Sequence, residues 1–374
     1  MRRCKVPLQA RGLGVMNNDL PYLVATSAIP GVGTATFNYL LKHFKTLKKF
    51  WEADAEAINK AKLDVRTKQS ILEFRAKVDP KIYLETVYER GIKVFSVNDR
   101  DYPQNLRRIS DAPPVLYVKG QILAADDLAI AVVGARYATV YGRQVTEKLV
   151  VDLVNAGLTI VSGMARGIDS FAHKAAMDAG GRTIAVLGSG VDLIYPPENK
   201  GLYEQIVKNG AVVSEFPLGF PSVPSNFPAR NRIISGLSLG VLVTEAAVDS
   251  GSLITAGQAA EQGREVFAVP GPINSKMSAG ANKLLKEGVH PVTEVLDVLD
   301  VLNVERVQRE IVQKRQVVGD KTEQKIIGVL DGETKHVDKI VIETGLPIDK
   351  VTASLSMMEL RGLIKNYGSG IWGV

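Results

Sequence analysis

Between residues 127 and 299 one theme repeats: a short apolar run, a turn of small residues, then a stretch with helical rhythm. The apolar runs are Ala129–Gly134, Thr159–Ser162, Thr183–Leu187, Ala211–Glu215, Gly240–Thr244 and Glu265–Val269. Helical stretches lie between them, among them Gly142–Asn155, Ile168–Ala179, Lys200–Asn209 and Leu253–Gln262. Strands that alternate with helices of roughly 10–15 residues predict βαβ units and a parallel, Rossmann-like sheet. Ligands of such sheets lie beyond the carboxyl ends of the strands. The repeat therefore says where a site must be sought.

Basic residues gather at that edge. Arg136 follows the first strand, in Val133-Gly134-Ala135-Arg136. Arg166 follows the second, in Ser162-Gly163-Met164-Ala165-Arg166-Gly167. Lys200 follows the third, after Gly188-Ser189-Gly190 and Tyr195-Pro196-Pro197-Glu198-Asn199. Arg230-Asn231-Arg232 follows the fourth, and Ser250-Gly251-Ser252 follows the fifth, where it opens a helix. One arginine after a strand is ordinarily a surface residue, whereas a cation after each of four successive strands forms a pattern. A small-residue turn at a helix N-terminus presents free backbone N–H groups to an anion. Many acids (Glu147, Asp152, Asp178, Glu204) fall within the helices instead. Residues 127–299 carry 14 Lys/Arg against 16 Asp/Glu, so a positive site here arises from placement and not from bulk charge. Its breadth suits a phosphate backbone better than a single nucleotide.

Other chemistries fit less well. A dinucleotide fold needs G-x-G-x-x-G opening the first helix; Gly134-Ala135-Arg136 has the wrong spacing, and Leu193 stands where Gly188-Ser189-Gly190 would need its third glycine. No G-x-x-x-x-G-K-[ST] occurs. Gly236-Leu237-Ser238-Leu239-Gly240 spells the nucleophile-elbow string but precedes a strand instead of following one. Histidines 43, 173, 290 and 336 have no zinc spacing, and His173 reads as a packed or capping residue. Neither a metal nor a cofactor is expected. The nearest enzymatic alternative is a Rossmann-like nucleotide phosphoribohydrolase, whose Pro-Gly-Gly-x-Gly-Thr-x-x-Glu turn carries a catalytic glutamate. The matching stretch, Ser250 to Gln258, ends in an amide that cannot act as a carboxylate base.

The flanks differ in character. Residues 1–19 read as a disordered extension with no apolar segment of a secretory signal, and Met16 is an alternative start. Residues 20–110 read as a helical domain, with 16 Lys/Arg against 10 Asp/Glu. Within it, Ile29-Pro30-Gly31-Val32-Gly33-Thr34 resembles a helix-hairpin-helix (SAM-like) turn, and serves equally as a plain packing turn between helices. Ile92–Val97 alternates like a half-buried strand. Residues 111–126 read as a connector that ends in a short strand, Val115–Lys119, and residues 300–320 as a linker. Residues 321–374 predict a winged helix: helices over Thr322–Leu330, Val337–Glu343 and Asp349–Arg361, then a hairpin across Gly368-Ser369. The lone Cys4 excludes a disulfide framework and fits the reducing cytosol, and no run of 18 apolar residues predicts a membrane span.

Taken together, Val133–Arg136, Ser162–Asp169, Ala185–Gly190, Tyr195–Asn199, Phe227–Gly236 and Ser250–Ala256 resemble the DprA/Smf family of bacterial DNA-processing proteins. The resemblance spans the central region and the Asp101–Gly120 segment. It implies a non-enzymatic protein that binds and protects incoming single-stranded DNA during uptake and recombination. It further implies dimerisation through the Rossmann-like domain, and loading of the recombinase RecA onto strands covered by single-strand-binding protein. By motif match it assigns DNA contacts to Arg136, Lys200 and Arg230-Asn231-Arg232; the row of cations and small-residue turns at the strand ends adds Gly134, Ser162, Gly163, Arg166, Gly188, Ser250, Gly251 and Ser252 as candidate contacts. Phe171, Tyr195 and Phe227 are candidates to stack bases. A duplex-binding regulator acting through the winged helix is the remaining alternative.

Overall fold

Side-chain caps start most of the N-terminal helices. After α1 (Leu20–Ser27) and α2 (Thr34–Phe44), α3 (Leu47–Glu52) begins at Thr46, α4 (Ala55–Lys60) at Asp54, α5 (Val65–Lys77) at Asp64 and α6 (Pro80–Glu89) at Asp79. In each of these four, the cap oxygen accepts an otherwise orphaned backbone N–H. The computed structural model describes residues 19–304, 321–330, 333–360 and 363–373. The expected N-terminal extension up to residue 18, and the expected linker from residue 305 onward, lie outside the described residues. The chain divides into two compact units, one ending at Leu302 and the other starting at Asn303.

The first unit is built on a nine-stranded sheet: β1 (Lys93–Ser96), β2 (Val115–Gly120), β3 (Ala129–Gly134), β4 (Thr159–Ser162), β5 (Thr183–Val186), β6 (Ala211–Ser214), β7 (Gly240–Glu245), β8 (Glu265–Ala268) and β9 (His290–Pro291). Its order is β1-β2-β6-β5-β4-β3-β7-β8-β9. β3 to β9 run parallel, while β1 and β2 join antiparallel. The parallel strands are short and buried on both faces, as helix-covered strands must be. Residues 111–126, read as a connector that ends in a short strand, carry β2 into the sheet, with Tyr117 opposite Ser214. Val115-Leu116-Tyr117-Val118 is apolar on both faces and so cannot remain an exposed link.

The remaining helices of this unit are α7 (Gln104–Arg107), α8 (Val140–Asn155), α9 (Ile168–Asp178), α10 (Lys200–Asn209), α11 (Asn226–Leu237), α12 (Gly251–Glu261), α13 (Ala279–Lys286) and α14 (Leu296–Leu302). The helical bundle α1–α6 packs on the sheet: Leu23, Phe37 and Ile71 share a core with Tyr117, Leu187 and Val212. A second core joins α7, α11 and α12 to the strands through Leu106, Ile233, Leu237 and Ala256. Strand order reverses between β3 and β7, so their carboxyl ends part and leave a crevice.

Among its described residues the second unit has three helices, Lys321–Leu330, Val337–Thr344 and Ile348–Leu360. Gly345 ends the middle one in the left-handed region, φ 65°. A three-stranded sheet follows in the order Lys335–His336, Ile371–Gly373, Lys365–Gly368. Ile326, Leu330, Ile340, Leu355 and Trp372 form its core. This is a winged helix. Among the described residues no helix is long and apolar enough to cross a membrane.

Candidate nucleic-acid interface

The turn after β3 and the turn after β7 meet at the switch point. The Ala135 N–H donates to the Glu245 carbonyl at 2.8 Å, and the Ile168 N–H to the Ala135 carbonyl at 3.1 Å. Glu245 is 2% exposed, and its carboxylate accepts from the Thr139 N–H at 2.8 Å and from Thr139 Oγ1 at 2.5 Å. It presses so close to α8 that a Cβ at Gly142 would stand 2.3 Å from Glu245 Oε2. The N-terminus of α8 thus already holds an anion, one of the protein's own. The N-terminus of α12 holds none. Ser250 caps it by accepting the Ser252 N–H at 3.3 Å, the first turn has no acid, and Gly251 is exposed.

Below the crevice lies a buried polar floor. Arg230 is 5% exposed, and its Nη1 donates to the carbonyls of Gly163 and Val186, both at 2.5 Å. Its Nε donates to Asn231 Oδ1 at 3.1 Å. Gly163 must be glycine, since a Cβ there would lie 2.3 Å from the Arg230 guanidinium. Burial pushes Arg230 down to about 10, against the opposing charge of Asp169. Burial raises the Asp169 carboxyl, while Arg230 and the N–H groups of Ala165 and Gly163 hold it back. Buried His173 exchanges a 2.6 Å hydrogen bond with Thr183 Oγ1, leaves Nε2 without a partner, and is driven down to about 3 by desolvation. It is a packed residue, as its sequence context suggested.

Phe227 stands on this floor with two guanidinium groups over its ring, Arg136 at 5.1 Å and Arg230 at 5.8 Å from the centroid. Tyr195 lies 6.0 Å from the same ring, tilted by 38°. Arg136 is exposed and makes no ion pair among the described residues. Exposed Arg166 pairs with Glu198, whose carboxylate raises the arginine and is itself lowered in return. Arg136, Tyr195, Phe227 and Arg230 wall both a groove that reaches Ser250–Ser252 and a pocket that reaches Arg166, Gly188 and Ser222.

Of the residues singled out in the sequence, the structure gathers Gly134, Arg136, Gly163, Arg166, Gly188, Arg230, Asn231, Ser250, Gly251 and Ser252 around these cavities. Three do not join them. The buried Ser162 hydroxyl donates to the Val132 carbonyl at 2.7 Å inside the sheet. Lys200, the first residue of α10, is exposed but lines neither cavity. Arg232 turns away to pair with Glu215 and Asp111. Its divergence has a simple cause: residues 226–237 are helical, and positions two apart on a helix do not share a face. Phe171 sits under the Arg143 guanidinium, 5.1 Å away. Gln258 donates to the Pro228 carbonyl at 3.0 Å and ties α12 to α11. Sequence reasoning missed Asp169 and Glu245, which lie in otherwise apolar or helical contexts and act only through long-range contacts. It also missed Tyr137, 81% exposed on the groove's rim.

Comparison with known proteins identifies related chains. The family model described as DNA recombination-mediator protein A matches residues 93–303, and a DprA winged helix domain model matches residues 315–368. Protein Smf of Synechocystis is 34% identical, covering 93% of this chain and 97% of its own. The DNA processing protein DprA of Bacillus subtilis is 40% identical over 66% of this chain and 86% of its own. The crystal structure of DprA from Streptococcus pneumoniae superposes with a TM-score of 0.65 at 37% identity, covering 75% of this chain and 95% of that one. A Helicobacter pylori DNA processing protein A, studied for its single-stranded DNA binding mode, gives a TM-score of 0.52 at 30% identity over 57% of this chain and 96% of its own.

Proposed function

Because the chain belongs to the DprA/Smf family of DNA-processing proteins, we propose that it binds single-stranded DNA in the groove at the switch point of its sheet. The observation that carries this reading is the Phe227 ring, with Arg136 and Arg230 close to it and Tyr195 beside it. Aromatic faces interleaved with guanidinium groups suit stacked bases and their phosphates, whatever the sequence. A duplex keeps its bases stacked inside and cannot offer them to such a ring. The open N-terminus of α12 extends the same groove toward a further phosphate. On this reading Arg136 and Arg166 meet the backbone and Phe227 and Tyr195 meet the bases. Arg230, neutralised by Asp169, keeps the ring and its loop in place.

The finer proposal is that the protein shields the incoming strand and passes it, as a homodimer formed through the sheet unit, to the RecA recombinase on strands covered by single-strand-binding protein. The family membership of the central region supports it, and the lone cysteine fits work in the reducing cytosol. The test of the site is Phe227→Ala, assayed by binding to a dT oligonucleotide. Loss of one stacking platform weakens binding by about 1–3 kcal/mol. Unchanged affinity would remove the groove from the DNA path.

A further inference from the structure

We propose that Asp192 is a positioning residue through which the N-terminal helical bundle sets the width of the DNA pocket. The inference rests on the single-strand reading above and gives the bundle a part in it.

Two of the loops that line the pocket are tied to each other. The one after β5 supplies Gly188, Tyr195 and Pro196, and the one after β6 supplies Ser222. Asp192 lies on the first loop, and its carboxylate reaches across to the second, accepting the Gly219 N–H at 2.9 Å on Oδ1 and 3.2 Å on Oδ2. The Gly190 N–H donates to the Phe220 carbonyl at 2.9 Å beside it. A Cβ at Gly190 would stand 2.6 Å from Asp192 Oδ1 and 2.5 Å from the Pro217 carbonyl, so only a glycine lets the loops approach this closely. The remaining contact comes from the bundle. Arg90, which ends α6, donates from Nη1 to Asp192 Oδ2 at 3.0 Å. Tyr83, on the same helix, is pushed up to about 12 by burial first and by the Asp192 charge second. One side chain thus joins both loops to a helix that does not itself line the pocket. Asp192 is 15% exposed and Arg90 55%, so the arginine can be removed without opening a core.

The experiment measures binding of the full-length protein to a labelled dT oligonucleotide across a salt series, for wild type, Arg90→Ala, Arg90→Lys, Asp192→Ala, the Arg90→Ala/Asp192→Ala pair and Arg136→Ala, with thermal melts to confirm folding. A cation that touches a strand phosphate contributes about 0.7 to the log–log salt slope, and one that only holds a loop contributes nothing. Arg90→Ala is expected to weaken binding by roughly threefold, the scale of one partly exposed ion pair, with the slope unchanged. Arg90→Lys restores binding. Asp192→Ala weakens it further, by about tenfold, and the double variant is no worse, as coupled positions require. Wild-type affinity in Arg90→Ala, or a slope flattened by about 0.7, overturns the inference; the second result makes Arg90 a direct contact. If Arg136→Ala weakens binding while Arg90→Ala does not, the positioning role falls and the groove stands. If neither variant changes binding, both fall.

Discussion

Two helix starts face each other across the switch point, and only one is open. At the start of α8 the buried Glu245 carboxylate occupies the anion site, accepting from the Thr139 N–H and hydroxyl. At the start of α12 the cap is two serines and an exposed glycine, with no acid in the first turn. Both follow a strand through a short turn, yet one is part of the scaffold and the other can receive a ligand. A helix N-terminus becomes a binding feature only where the chain does not supply its own anion.

Glycine-to-alanine changes sharpen this contrast most. Gly142→Ala drives a methyl into Glu245, whose Oε2 would be 2.3 Å away, whereas a Cβ at Gly251 meets nothing within 4 Å. Urea denaturation should show a loss of about 3 kcal/mol for Gly142→Ala and none for Gly251→Ala. Equal stability in the two would contradict the closed turn. Glu245→Gln keeps the shape and removes the charge; a cost of about 2 kcal/mol is expected from weakening two charge-assisted hydrogen bonds, and a neutral result would mean the carboxylate does not hold the turn.

The floor shared by both turns carries a pH dependence. His173 has a folded pKa depressed to about 3 by desolvation, against an ordinary 6.5. The unfolded chain binds this proton and the folded chain does not, so the contribution is complete above pH 6.5 and is lost as pH falls toward 3. Stability should drop with a slope of about 1.4 kcal/mol per pH unit below 6.5 from this group alone, and His173→Gln should flatten the profile by that amount. Parallel profiles would show that the imidazole takes up its proton when folded. The smallest effect has opposite signs in two assays. Gly251→Asp gives α12 the acid it lacks and should stabilise the fold by about 0.5 kcal/mol while weakening oligonucleotide binding. Stronger binding would mean that no phosphate visits this turn.

Most of the sheet was legible in the sequence because buried parallel strands are short, β-branched runs with little else to be. Ala129–Gly134 and Thr159–Ser162 appear with the expected ends. The helix α11 was not legible. Pro228 near its start and the Ser235-Gly236-Leu237-Ser238 run at its end look like a loop, although proline is tolerated in a first helical turn. That omission grouped Arg232 with Arg230, although on a helix positions two apart point to different faces, roughly half a turn from each other. Ser162 shows the same limit. A hydroxyl at a strand end reads as a ligand contact until the neighbouring strand claims it, here through Val132. Lys200 was counted by its position after β5, but the loop from Leu187 to Asn199 itself supplies Gly188, Tyr195 and Pro196 to the cavities, and the lysine that follows opens α10 as an exposed residue lining neither.

On the proposed function, Arg136, just after β3 and without an ion pair among the described residues, and the Phe227 ring beside it hold a single strand by its backbone and bases. Salt-dependent binding of wild type and Arg136→Ala to a dT oligonucleotide and to a duplex of equal length tests it most directly. The expected result is a preference for the single strand, and a log–log slope that flattens by about 0.7 when Arg136 is lost. Equal affinity for the duplex, or an unchanged slope in Arg136→Ala, would place the DNA elsewhere on the protein and contradict it.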